Sequence, residues 1–121
     1  MLPKKVLIVD DSRLIHKIFG VMLSGATLVH SYNGAEALKS LAEHPDVEVV
    51  LLDINMPAMN GFEFLERVKS DDQLAEIPVV IISTEGKEED TIRGLQAGAA
   101  AYVKKPFQRE DLLSVLGQVM A

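Results

Sequence analysis

The residue types that can do chemistry in this chain fall at matching places. Asp10-Asp11, Asp53, Ser83 and Lys105 each lie at, or just past, the end of a short apolar run: KVLIV (5–9), VVLL (49–52), VVIIS (79–83) and AYVK (101–104). If the runs are parallel strands of one sheet, their C-terminal ends share one edge, and residues far apart in sequence become neighbours there. Three carboxylates gathered at that edge repel one another and raise a pKa unless their charge is offset. A hard divalent cation suits an all-oxygen site, and Mg²⁺ needs few protein ligands and keeps its waters. Lys105 adds a further positive charge. A carboxylate beside Mg²⁺ and a lysine can act as a nucleophile toward a phosphoryl group and carry it as an acyl phosphate. Such transfer asks the protein mainly for positioning and charge neutralisation, here with the Ser83 hydroxyl and the Lys105 ammonium on the phosphoryl oxygens.

The elements that must position these residues follow from the hydrophobic pattern. Residues 49–52 are apolar on both faces of the pleat, as a strand buried from both sides requires, and 5–9 and 79–83 read the same way. TLVHS (27–31) is more polar and belongs nearer an edge. The segment 101–104 is short and is terminated by Pro106. Between the strands, apolar residues recur at helical spacing. Ile15, Ile18, Phe19 and Met22 mark a first helix capped by Ser12 or Asp11 and stopped at Gly25. Ala35, Leu38, Leu41 and Ala42 mark a second, ended before Pro45. Residues 61–69 form a third, with Phe62, Leu65 and Val68 inward. Ile92, Leu95 and Ala99 mark a fourth, and Leu112, Val115, Leu116 and Val119 a fifth. Gly94 stands in the interior of the fourth, where glycine costs roughly 0.5–1 kcal/mol relative to alanine, so that helix is expected to be loose. Five strands alternating with five helices imply parallel strands, right-handed crossovers and helices on both faces. The expectation is an α/β fold with a single doubly wound five-stranded parallel sheet, one domain over 1–121.

Composition narrows the function. The chain has 121 residues and 48% hydrophobic content, enough for one core. A net charge of −6 argues against direct nucleic-acid binding through a basic surface and against docking on an anionic membrane. With no cysteine there is no disulfide, thiol nucleophile or cysteine-bound zinc. The N-terminus MLPKKVLIVDD turns acidic too soon for a signal peptide, and no window approaches a membrane span, so a cytoplasmic location is expected.

Four segments together carry a resemblance: VDDS (9–12), LLDINMPAMNG (51–61), IISTE (81–85) and AYVKKPF (101–107). In this order and at this spacing the chain resembles, over essentially its full length, a receiver domain of the two-component response-regulator family. The resemblance implies a flavodoxin-like sheet of order 2-1-3-4-5. It implies that Asp53 is the phosphoacceptor, taking a phosphoryl group from the phosphohistidine of a sensor histidine kinase or phosphotransfer protein. It further implies that Asp11 is a direct Mg²⁺ ligand, that Asp10 acts mainly through water, and that the Asn55 main-chain carbonyl completes the metal site. Ser83 matches the hydroxyl position, Lys105 the invariant lysine and Tyr102 the aromatic switch residue. The assignment of Lys105 over Lys104 rests on the Pro106-Phe107 that follows, and a cis Lys105–Pro106 bond is implied. Asn55 and Glu85 occupy positions that tune loss of the phosphoryl group, and the pair resembles chemotaxis-type members. Phosphorylation would draw Ser83 inward, let Tyr102 fill the space, and change the surface of the fourth helix, fifth strand and fifth helix toward a downstream protein target or effector domain.

Competing readings are weaker. A haloacid-dehalogenase-type phosphatase needs a second acid two residues after its nucleophile, and that position is Asn55. No P-loop is present. A mononucleotide binder of flavodoxin type would meet Asp10-Asp11, which repel a phosphate without metal. A receiver-like module that never takes up phosphate has no use for the acidic pair, Ser83 and Lys105. By itself Tyr102 reads as a half-buried strand residue. His16, His30 and His44 share no ligand spacing and read as surface or edge residues with no part in metal binding or catalysis. Glu88-Glu89-Asp90 reads as a helix N-terminus favoured by the macrodipole. The chain is either a stand-alone receiver or a piece of a longer regulator.

Overall fold

The computed structural model describes residues 2–54, 61–84 and 87–120. The elements alternate as β1 (Lys5–Val9), α1 (Arg13–Met22), β2 (Thr27–Ser31), α2 (Gly34–Glu43), β3 (Val49–Asp53), α3 (Gly61–Ser70), β4 (Val79–Thr84), α4 (Glu88–Gln96), β5 (Ala101–Lys105) and α5 (Arg109–Val119). The five strands pair in the order β2-β1-β3-β4-β5, every pair parallel. The expected α/β architecture and sheet order are therefore what the chain adopts. No helix among the described residues is long and apolar enough to cross a membrane.

The period of two in the strands divides the core. Leu7, Val9, Val50, Leu52 and Val79 face one side, where Ala37 and Leu41 of α2 and Phe64, Leu65 and Val68 of α3 cover them. Val6, Ile8, Val49, Leu51, Val80, Ile82 and Val103 face the other, under Phe19 of α1 and Leu112 and Leu116 of α5. Strands buried on both faces need apolar residues at every position, which is why 49–52 carry no polar side chain. Arg109 Nε donates to the carbonyl of Met22 at 2.9 Å, so α5 satisfies an orphan acceptor at the end of α1. Gly61 begins α3 against the backbone of Ile54: a Cβ there would lie 2.6 Å from Ile54 Cα, and only glycine fits.

Three expectations about helix faces are corrected. In α2, Ala37 is buried with Leu41, whereas Ala35 and Ala42 are exposed. In α4 the buried residues are Thr91 and Gly94, while Ile92 and Leu95 are 55% and 36% exposed and Ala99 lies beyond the helix. Here the apolar residues point outward, because the inward stripe needs small residues over Ile81. Gly94 marks close packing rather than looseness, since a Cβ at this position would stand 2.1 Å from Ile81 Cδ1. In α1, His16 is buried with Phe19, not at the surface or an edge. It continues the i, i+3, i+7 line to Phe19 and Leu23, both fully covered.

Candidate functional site: an acidic rim at the strand ends

The rim is built from local hydrogen bonds. At the end of β1, the Asp10 N–H donates to the Ser31 carbonyl on β2 at 3.1 Å. Asp10 Oδ1 accepts from the Ser12 N–H at 2.8 Å, and Ser12 Oγ in turn caps α1 by accepting from the Ile15 N–H at 3.3 Å. β3 ends in Asp53. Asp10 and Asp53 are 1% and 7% exposed, and Asp11 is exposed. Carboxylate oxygens of Asp10, Asp11 and Asp53 lie within 4.8 Å of one another. Lys105, at the end of β5, places its Nζ 3.8 Å from Asp10 Oδ2, and the Lys105–Pro106 bond is cis.

This crowding has an electrostatic signature. Burial pushes the Asp10 carboxyl above the ordinary carboxylate range, and the charges of Asp53 and Asp11 push it further. The Ser12 N–H and the Lys105 ammonium pull the other way. Asp10 Oδ2 is buried with no hydrogen bond reaching it among the described residues. A buried, unbonded carboxylate oxygen beside two further carboxylates is the donor set a hard divalent cation takes, and the residues present fit Mg²⁺.

Ser83 is buried at the end of β4, one residue beyond Ile82, which pairs with Asp53 across the sheet. It also lines a groove of about 300 Å³ with Thr91, Ile92, Leu95 and Tyr102. Tyr102 is 47% exposed at this groove. Lys104 Nζ reaches Glu88 Oε1 at 3.0 Å, bridging β5 to the start of α4. Lys104 and Lys105 therefore point to different partners. Asn55 and Glu85 lie outside the described residues.

A second cluster escaped sequence reasoning. The buried His16 ring contacts the Asp10 carbonyl through Nε2 at 2.8 Å and His30 Nδ1 through Nδ1 at 2.7 Å. It also packs on Tyr32, ring centroids 4.4 Å apart, and Arg13 lies over Tyr32. The readable signal was the alignment of His16 with Phe19 and Leu23, which places it on the inner side of α1.

A parallel doubly wound sheet with an acidic cluster at its carboxyl edge defines a class of signalling receiver. The chain belongs to the response regulator receiver domain family, whose model matches residues 6–117. The chemotaxis protein CheY1 of Helicobacter pylori is 38% identical, the match covering 93% of this chain and 97% of the relative. Protein PilH of Pseudomonas aeruginosa is 34% identical, over 97% of this chain and 98% of the relative. Among solved structures, the chemotaxis protein CheY4 of Vibrio cholerae superposes with a TM-score of 0.86 at 35% identity, covering 95% of this chain and 97% of that one.

Proposed function

We propose that this chain is a phosphorylation-controlled receiver in which Asp53 accepts a phosphoryl group from a phosphohistidine on a sensor histidine kinase or phosphotransfer protein. An Asp53 carboxylate oxygen attacks phosphorus, the P–N bond breaks, and the imidazole nitrogen leaves with the bond's electron pair and takes up a proton. Asp10, Asp11, Asp53 and the Asn55 main-chain carbonyl would hold Mg²⁺, which supplies charge neutralisation and orients the phosphoryl oxygens. Lys105 and Ser83 contribute an ammonium and a hydroxyl to the same oxygens. The chain catalyses only its own phosphorylation and dephosphorylation, and works as a single receiver unit.

The observation that carries this reading is the cluster itself: three carboxylates within 4.8 Å, one with a buried oxygen that no hydrogen bond reaches among the described residues, and a lysine at its edge. Such an arrangement costs folding energy unless a cation is there to use it. The groove between Ser83 and Tyr102 supports the switching half of the reading. Ser83 and Tyr102 line one space, so a shift of Ser83 toward a phosphoryl group would give Tyr102 room to turn inward. The α4–β5–α5 surface then meets a downstream protein target or effector domain differently in the two states. Such a receiver works in the cytoplasm.

Incubation with phosphoramidate and Mg²⁺, followed by intact mass, tests the reading. One phosphoryl adduct is expected, absent in Asp53→Asn and absent when the metal is chelated. A wild-type chain that takes up no phosphoryl group under these conditions would be an interaction module of receiver fold, and the reading would fall.

A further inference from the structure

The His16–His30 pair sits behind the acidic rim, and its hydrogen bonds assign its protons. A backbone carbonyl only accepts, so His16 Nε2 carries a hydrogen and donates to the Asp10 carbonyl at 2.8 Å. In the neutral ring Nδ1 is then a bare lone pair. The 2.7 Å contact between the two Nδ1 atoms therefore has His30 as donor. In a neutral pair no other assignment satisfies both contacts. A proton added to His30 Nε2 leaves both bonds in place.

The carbonyl held by His16 belongs to the Asp10–Asp11 peptide, so its orientation sets where Asp11 begins. Asp10 is thus anchored through its N–H to Ser31, through Oδ1 to Ser12 and through its carbonyl to His16. Repulsion among the three carboxylates tends to open this loop, and the anchors resist it. His16 adds to that resistance, because its ring is buried and packed on Tyr32.

We infer that His16 is a positioning residue that presets the Asp10–Asp11 peptide for a cation, and that His30 fixes the His16 tautomer that does so. This rests on the magnesium reading proposed above. Partners behind a metal site that orient its ligands typically influence affinity by about 10–100-fold. Without His30, only the Asp10 carbonyl favours the Nε2–H tautomer, and the ring loses the Nδ1 contact that reinforces it.

Mg²⁺ alone, titrated into the full chain by calorimetry, provides the test. His16→Leu is expected to weaken Mg²⁺ binding about tenfold. His16→Gln, which keeps an N–H near the Nε2 position, is expected to recover most of it. A merely structural role would leave the Leu and Gln variants alike in Mg²⁺ affinity, and that result overturns the inference. His30→Ala, a change at the surface, keeps the question open to measurement should His16→Leu fail to fold: it is expected to weaken Mg²⁺ binding, and unchanged affinity counts against His30. Long-range proton–nitrogen spectra of the metal-free wild type are expected to place the proton on Nε2 of His16 and Nδ1 of His30, and the reverse assignment also overturns the inference. A wild type that binds no Mg²⁺ removes the magnesium reading and this inference together. A wild type that binds Mg²⁺ no better than His16→Leu removes this inference alone.

Discussion

Lys105 Nζ stands 3.8 Å from Asp10 Oδ2, near enough to be felt as charge and too far to hydrogen-bond. The two residues lie at the ends of β5 and β1, strands separated in the sheet by β3 and β4. The lysine therefore reaches across the rim without bonding the buried oxygen, which no hydrogen bond reaches among the described residues. The fold thus holds Asp10 at a cost that a cation beside Oδ2 would offset.

Asp10→Asn should stabilise the metal-free protein. The Asp10 carboxyl is raised above 3.8, first by burial, so the folded state binds its proton more tightly than the unfolded state. Stability from that proton is fully present below 3.8 and is lost as pH rises through the raised value. At neutral pH asparagine removes the burial cost of the carboxylate and its repulsion from Asp53 and Asp11, and should gain about 1 kcal/mol. The gain should grow with pH on leaving the acid range. Mg²⁺ should raise the wild-type urea midpoint and do less for the variant. Urea titrations at several pH values, with and without Mg²⁺, decide it; an Asn variant weaker than wild type at neutral pH contradicts it.

Lys69→Met should destabilise the fold without touching the rim. Lys69 Nζ donates to the carbonyls of Ala75 and Ile77 at 3.0 and 3.1 Å, closing the connection from α3 to β4. Burial lowers its pKa while Glu76 opposes the shift. Methionine keeps an apolar stem against Gly98 and loses both donors, so the expected loss is about 1–3 kcal/mol by denaturant titration. The phosphoryl adduct should still form.

How much was legible depended on what each residue faces. β3 and β4 are readable because strands covered on both sides carry apolar runs, here 49–52 and 79–82, and their C-terminal ends share one edge by topology. That reasoning places Asp10, Asp11 and Asp53 side by side without coordinates. The roles expected of Asn55 and Tyr102 rest on the family resemblance, because spacing alone distinguishes neither from ordinary loop and strand residues, whereas Ser83 is marked out by its place at a strand end. α4 was misread because hydrophobicity normally marks the inner face, and here Thr91 and Gly94 go inward while Ile92 and Leu95 stay exposed. The alignment of His16 with Phe19 and Leu23 puts it on the inner line of α1, but what a buried histidine does there depends on partners remote in sequence. Those partners, a carbonyl of β1–α1 and a side chain of β2, are 6 and 14 residues away.

His30 should titrate below its ordinary value. Burial lowers its pKa from 6.5, and the neighbouring His16 adds to the effect. The folded state then binds the proton less tightly than the unfolded state. Stability from this group is present above 6.5 and is lost as pH falls through the lowered value. A shift titration of the His30 ring protons should give a midpoint under 6.5. His30→Asn should lose less stability than wild type on going from mildly alkaline to mildly acidic solution. A midpoint at or above the ordinary value would mean that the ring is solvated rather than held against His16.

Gly94→Ala should weaken the protein, although alanine is the better helix former. The propensity gain is about 0.5–1 kcal/mol. Against it stands a Cβ 2.1 Å from Ile81 Cδ1 and 3.0 Å from Ile54 Cδ1, contacts that force α4 off the sheet or push Ile81 out of its rotamer. Overpacking of this kind costs about 1–3 kcal/mol, so the clash outweighs the gain. Ile81→Val removes the Cδ1 methyl that the new Cβ would strike, at a cost of its own of about 0.5–1.5 kcal/mol. The double variant should therefore be more stable than the sum of the two single changes predicts, by about 1 kcal/mol or more. Urea midpoints of the four proteins in this cycle measure the coupling. Simple additivity would mean that α4 shifts freely enough to absorb the methyl, and that close packing on Ile81 is not what glycine serves at position 94.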